Sequence, residues 1–194
     1  MLELVLARHG QSHGNLDFAL GPDTDLTDLG RRQATQLGRW LAEQGYAFTA
    51  CYCSTLRRAR QTAAIINAHF GLEIVFDPDL REAEVWLPDE LPRRDGPLGA
   101  HPSPPFSAAY QAMHERVRRA TTRILTDNSA GQVLVVAHGG TLGTMMRSIL
   151  ENHALVVHTD LAAVHSLSWK DGLWNLCFAN RQEHLTTATA PTLP

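Results

Sequence analysis

Two short apolar runs, each stopped by a histidine and a glycine, constrain this chain more than any other feature. The first is Leu2-Glu3-Leu4-Val5-Leu6-Ala7, leading into Arg8-His9-Gly10-Gln11-Ser12. The second is Val133-Leu134-Val135-Val136-Ala137, leading into His138-Gly139-Gly140. Each run is too short for an ordinary helix and apolar almost throughout, as in a strand buried on both faces of a parallel sheet. Ligands of open α/β sheets bind beyond the carboxyl ends of the strands. Arg8, His9 and His138 fall at such ends, and the glycines let the backbone turn sharply beneath them. A guanidinium is a planar fork suited to phosphate or carboxylate, and an imidazole can carry a proton or act as a nucleophile. If the two strands are neighbours, the histidines meet side by side.

The segments between these runs supply the rest of an α/β pattern. Thr27 is placed to cap a helix from Asp28 to about Gln44, whose apolar stripe is Leu29, Ala34, Leu37, Trp40 and Leu41 and which Gly45 ends. A strand over Phe48–Cys53 places Cys51 and Cys53 as small apolar residues on one face, and Ser54-Thr55 can cap a helix from about Leu56 to Phe70. A short strand follows at Ile74–Phe76. A helix from about Ser107 to Thr126 buries Tyr110, Met113, Val117, Ala120, Ile124 and Leu125, and another runs from Gly140 to about Leu150. Lys170-Asp171-Gly172 is a hairpin turn between Leu161–Trp169 and Leu173–Ala179. The expected architecture is three layers, α/β/α, around a mostly parallel central sheet, with residues 1–194 as a single domain.

Three stretches lack a core pattern. Gln11 to Asp25 reads as a polar loop, with Asn15 close enough to fold back over His9. Residues 84–106 carry six prolines and the pair Arg93-Arg94, which fits a lid or specificity loop. Trp86 and Phe106 border that loop as expected core anchors. Residues 185–194, and the tail from His184 generally, are expected to be loose.

A length of 194 residues, 44% hydrophobic and 19% charged, suits a soluble globular chain. The formal net charge of −3 argues against a general nucleic-acid or membrane-surface binder. No apolar stretch approaches a membrane span, and the first strand begins with no leader before it. Three sparse cysteines, Cys51, Cys53 and Cys177, suit a reducing compartment, so a cytoplasmic location is expected.

An anion must therefore be met by local cations. Arg57, Arg58 and Arg60 open the helix after the second strand, where the helix dipole disfavours cations unless an anion binds there. By position, one of the three points inward.

The residues resemble the histidine phosphatase superfamily, which includes the cofactor-dependent phosphoglycerate mutases. Five blocks carry the resemblance in order: Arg8-His9-Gly10-Gln11-Ser12 with Asn15; Leu26-Thr27-Asp28-Leu29-Gly30-Arg31-Arg32-Gln33-Ala34; Ser54-Thr55-Leu56-Arg57-Arg58-Ala59-Arg60-Gln61-Thr62; Leu80-Arg81-Glu82; and Val135-Val136-Ala137-His138-Gly139-Gly140. The resemblance implies a phosphoglycerate-mutase-like fold with His9 as the nucleophile that takes the phosphoryl group. It makes Arg8, Arg58 and His138 the clamp on the phosphoryl oxygens, and so selects Arg58 as the inward arginine. Asn15, Ser12 and the Gly139 amide assist, and Glu82 is the general acid/base. After Glu82 the chain reads Ala83-Glu84-Val85-Trp86, where many members have a Gly and a Trp-Glu-Gly.

The chemistry agrees with those roles. A neutral imidazole nitrogen can attack phosphorus, guanidinium forks hold the dianion, and a carboxylic acid can protonate the leaving oxygen and later activate water. Two guanidiniums and an imidazolium supply the charge, so no metal and no other cofactor is expected. A metal shared by His9 and His138 is the rival enzyme reading, but there is no zinc-type spacing and the arginines would repel a cation. His153 and His158 look like surface residues. The expected function is a metal-independent phosphomonoesterase acting on a small phosphorylated metabolite, since the chain lacks the added segments that enclose a mutase site. A mutase-type phosphotransferase comes next, and a non-catalytic phospho-ligand module last. Arg93 and Arg94 are candidates for a second anionic group of the substrate, and a homodimer along a sheet edge is the oligomer considered.

Overall fold

The computed structural model describes residues 1–186. In chain order the elements are β1 (Leu2–Arg8), α1 (His13–Leu16), α2 (Asp28–Glu43), β2 (Phe48–Ser54), α3 (Arg57–Asn67), β3 (Ile74–Asp77), α4 (Leu87–Glu90), α5 (Ala108–Asp127), β4 (Gly131–Ala137), α6 (Gly139–Ile149), β5 (Val164–Lys170) and β6 (Leu173–Arg181). The strands form one six-stranded sheet in the order β3-β2-β4-β1-β5-β6. The first four in that order are mutually parallel, while β5 and β6 add an antiparallel edge beside β1.

Alternation along β1 explains the layers. Leu2, Leu4 and Leu6 point to one face and pack with Val117, Ile124, Leu142 and Met145 from α5 and α6. Val5 and Ala7 point to the other and pack with Leu37, Leu41, Ala63 and Ile66 from α2 and α3. Cys51 and Cys53 join that second face as buried free thiols, and burial pushes Cys51 up to about 12. Each fully buried Leu contributes roughly 2 kcal/mol, so both faces of β1 hold the sheet at its centre.

The ends of the elements follow their local chemistry. Thr27 accepts the Gly30 N–H at the start of α2, and Ser107 accepts the Tyr110 N–H at the start of α5. Asp171 and Gly172 turn the β5–β6 hairpin with φ of 53° and 80°. Among the described residues, no helix is long and apolar enough to cross a membrane.

Several expectations need correction. Gln11 to Asp25 is not an unbroken loop: it holds α1 and a single 3-10 turn at Phe18–Leu20. The 84–106 stretch holds the short α4, because Leu87 and Leu91 are buried in the core. Trp86 is 73% exposed and anchors nothing, whereas Phe106 does pack, against Tyr110 and His153. His153 is half-buried with Nδ1 hydrogen-bonded to the Tyr110 hydroxyl at 2.8 Å, so it is no surface residue. His184 is buried, hydrogen-bonded to the Ala162 carbonyl and packed on Trp40, so the tail is not loose at its start. Residues 187–194 of the expected loose tail lie outside the described residues.

Candidate active site

The parallel register brings the two diagnostic sequences together. Arg8 is the partner of Ala137, so His9 and His138 emerge side by side beyond the ends of β1 and β4. Their rings meet edge to face with centroids 5.0 Å apart, and both are fully buried.

His9 is held in one tautomer. Its Nδ1 donates to the Gly10 carbonyl at 2.7 Å, and Arg58 Nε donates to its Nε2 at 2.9 Å. The proton therefore sits on Nδ1 and the lone pair on Nε2. Burial, with Arg8 and Arg58 alongside, drives His9 well below the ordinary imidazole range. At neutral pH it is an uncharged base aimed into the site.

Arg58 stands in the first turn of α3 and also donates to the Pro22 carbonyl. Its two neighbours turn elsewhere: Arg57 pairs with Asp25 at 3.2 Å and binds the Asp23 carbonyl, and Arg60 lies over the Phe76 ring. Arg8 donates to the Thr159 carbonyl at 2.5 Å, and its guanidinium rests against Gly139, where a β-carbon would be 3.5 Å from Cζ.

His138 Nε2 shares a hydrogen bond with Ser54 Oγ at 2.8 Å. Ser54 thus serves the site rather than capping α3, although its Oγ also accepts the Leu56 N–H. Burial, then His9 and the two arginines, hold His138 well below its usual range as well. The expected imidazolium is therefore not the form that this arrangement favours. The Nδ1 of His138 and the Nε of Arg8 are both buried and unpartnered by protein. Buried polar atoms normally have partners, so two unpartnered nitrogens beside His9 mark where a ligand's polar atoms belong.

Glu82 approaches from the end of the 3-10 turn that follows β3. Its carboxylate is seated on the start of α6, where Oε2 accepts the Gly140 N–H at 3.1 Å and Oε1 accepts the Thr141 N–H at 3.2 Å. Ser12 and Asn15 bind each other: the Ser12 N–H and hydroxyl both donate to Asn15 Oδ1, at 2.9 and 2.8 Å. That leaves the Asn15 amide nitrogen, not its oxygen, for a substrate. Arg93 is exposed, and Arg94 contacts the His101 ring within its own loop; among the described residues neither hydrogen-bonds to the histidine cluster.

Sequence reasoning placed Gln33 and Thr62 within the blocks of the resemblance but gave them no role; they hold this floor. Gly10 N donates to Thr62 Oγ1, and Gln11 N donates to Gln33 Oε1. A β-carbon on Gly10 would stand 2.4 Å from the Gly30 carbonyl oxygen, so the two loops touch backbone to backbone. Arg116, Arg119 and Arg123 were missed altogether; their i, i+3, i+7 spacing on α5 was the available signal. Among the described residues, no group of three or more His, Cys, Asp or Glu is disposed to hold a metal ion.

Comparisons with known proteins bear on this geometry. A family model described as "Histidine phosphatase superfamily (branch 1)" matches residues 4–182. A 2,3-bisphosphoglycerate-dependent phosphoglycerate mutase of Methylorubrum populi is 33% identical over 162 residues, covering 74% of this chain and 76% of its own. Two solved structures share the fold. The phosphoserine phosphatase of Entamoeba histolytica with 3-phosphoglyceric acid has a TM-score of 0.74 at 21% identity, covering 96% of this chain and 100% of that one. The alpha-ribazole phosphatase of Shigella flexneri has a TM-score of 0.72 at 22% identity, covering 93% and 96%.

Proposed function

The chain belongs to the histidine phosphatase superfamily, and from that premise we propose that it is a metal-independent phosphomonoesterase acting on a small phosphorylated metabolite. The observation that carries the reading is the pair of buried, unpartnered nitrogens, Arg8 Nε and His138 Nδ1, beside a neutral His9 whose Nε2 is free of its own proton. Three cationic or donor groups around one buried nucleophile fit a phosphoryl group and little else.

The first half-reaction forms a bond from His9 Nε2 to phosphorus and breaks the phosphorus–oxygen ester bond. The electron pair leaves with the ester oxygen, which takes a proton from the Glu82 carboxylic acid. Arg58 Nε, which donates to His9 Nε2, moves its hydrogen bond to a phosphoryl oxygen. The incoming dianion also favours the charged form of His138, which takes a proton from solvent as the substrate binds. In the second half, water gives a proton to the Glu82 carboxylate and attacks phosphorus. The phosphorus–nitrogen bond breaks and its electron pair returns to Nε2. The Asn15 amide nitrogen and the Gly139 amide complete the phosphoryl cradle in this reading, while Ser12, expected there too, spends both its donors holding Asn15.

The mutase is the second reading, favoured by the activity for which the Methylorubrum relative is named. It differs in the acceptor: a second hydroxyl of the substrate, rather than water, takes the phosphoryl group.

The test is phosphate release from an aryl phosphate and a metabolite panel, with EDTA present, for wild type and His9→Ala. Turnover that survives EDTA and falls at least about a hundredfold in the variant supports the hydrolase. Loss of wild-type activity in EDTA overturns the metal-free mechanism. Phosphate transfer that requires a bisphosphoglycerate primer selects the mutase.

A further inference from the structure

The segment that carries Glu82, residues 78–82, is a single 3-10 turn and an extended exit, so its carbonyls need partners from elsewhere. One side chain meets three of them. Arg116, half-buried in the middle of α5, donates through Nη1 to the carbonyls of Asp79 and Arg81, at 2.8 and 2.7 Å. Through Nη2 it donates to the carbonyl of Glu82 itself, at 3.3 Å. Met113 Sδ packs against the same Nη2 at 2.6 Å. On the far side Thr141 donates its hydroxyl to the Arg81 carbonyl at 2.8 Å, while α6 receives the carboxylate. The acid is therefore gripped twice, by its backbone from α5 and by its carboxylate from α6.

We infer that Arg116 is a positioning residue for Glu82, fixing where the acid stands relative to the ester oxygen without touching substrate; the inference rests on reading Glu82 as the general acid. A planar guanidinium can bridge three carbonyls, whereas an ammonium is a point donor on a flexible stem. Arg116 makes no ion pair within contact distance among the described residues; the negative charges acting on it are Asp79 and Glu82. Arg119 and Arg123, further along the same face of α5, pair with Asp79 and Asp77 and fix the root of the segment. Arg116 fixes its tip.

The consequence depends on the leaving group. When the ester bond breaks, an oxygen that is stable as an anion needs the Glu82 proton little, and an alkoxide needs it fully. A displaced acid therefore harms one substrate more than the other. A variant that merely loosens the fold harms both alike.

The experiment measures kcat/KM, which reports the phosphorylation of His9, for 4-nitrophenyl phosphate and for benzyl phosphate. Wild type, Arg116→Met, Arg116→Lys, Glu82→Gln and the Arg116→Met/Glu82→Gln pair are compared. Arg116→Met is expected to lower benzyl phosphate turnover about tenfold more than 4-nitrophenyl phosphate turnover, with Arg116→Lys between it and wild type. Glu82→Gln should show the same selectivity more strongly, and adding Arg116→Met to it should cost little more. Equal losses on both substrates in Arg116→Met and Arg116→Lys, beside a selective Glu82→Gln, overturn the positioning role and leave the acid assignment standing. A Glu82→Gln variant without selectivity overturns the acid assignment itself. If Arg116→Met does not fold, Arg116→Lys carries the comparison.

Discussion

A β-carbon at position 30 would stand 1.9 Å from the carbonyl oxygen of Gln11, and one at position 140 would stand 2.6 Å from Oε1 of Glu82. The first clash is with backbone and cannot be relieved without moving the loop beneath His9. The second is with the far end of a side chain, which can swing away. Gly30→Ala is therefore expected to cost about 3 kcal/mol of stability, a fall in Tm of about 10 °C in a thermal melt. Gly140→Ala should melt near wild type while losing about tenfold in activity toward benzyl phosphate, because its target is the acid alone. At this scale the sequence was partly legible. The strand-end residues declared themselves through the abrupt change from apolar run to Arg-His-Gly. Arg58 was separable from Arg57 and Arg60 only through the family resemblance, because three arginines in one helical turn look alike until their partners at Asp25, Asp23 and Phe76 are known. Thr62 and Gln33 fell within the blocks of the resemblance, but their roles were not legible, since each serves a backbone amide far away in the chain.

The elements followed their periodicity where one face is apolar. The stripe on α5 buried Tyr110, Met113, Val117, Ala120 and Ile124 as its spacing required. The flank of that stripe, with Arg116, Arg119 and Arg123, looked like ordinary solvated charge, and only the fold shows that it grips residues 77–82. Residues 84–106 were read correctly as irregular for most of their length, because proline restricts the backbone whatever surrounds it. The α4 turn escaped notice since two leucines, Leu87 and Leu91, suffice to pin it. These anchors divide the loop: its first part is tied into the core, and Arg93 beyond them is exposed. Brief trypsin digestion should therefore cut first after Arg93 or Arg94, and intact-mass analysis should find Arg58 uncut in the same sample. First cleavage in α2 or α3 would contradict this division.

Across the whole molecule, buried histidines tie stability to pH. His165 and His184 each titrate near about 4 in the fold, against 6.5 when free, because burial opposes their charge. Between those values the unfolded chain binds more protons than the folded one. Stability is thus complete above about pH 6.5 and falls as pH drops toward 4, each residue contributing up to about 3 kcal/mol to the loss. Denaturant titrations at pH 7 and pH 4.5 should show that loss, and His165→Gln, which keeps an acceptor for the Asn180 N–H, should reduce it. An unchanged difference between the two pH values would show that His165 is not responsible. The strand order itself was not legible, because apolar runs announce burial but not neighbours. It places β1, the earliest strand synthesised, between β4 and β5, which begin at Gly131 and Val164. The central strand of the sheet must wait for most of the chain to leave the ribosome before either edge of it is satisfied. Recovery of activity after denaturation then marks the last closure of the topology, and a nascent chain stopped before residue 131 holds His9 at the end of a strand with no partners.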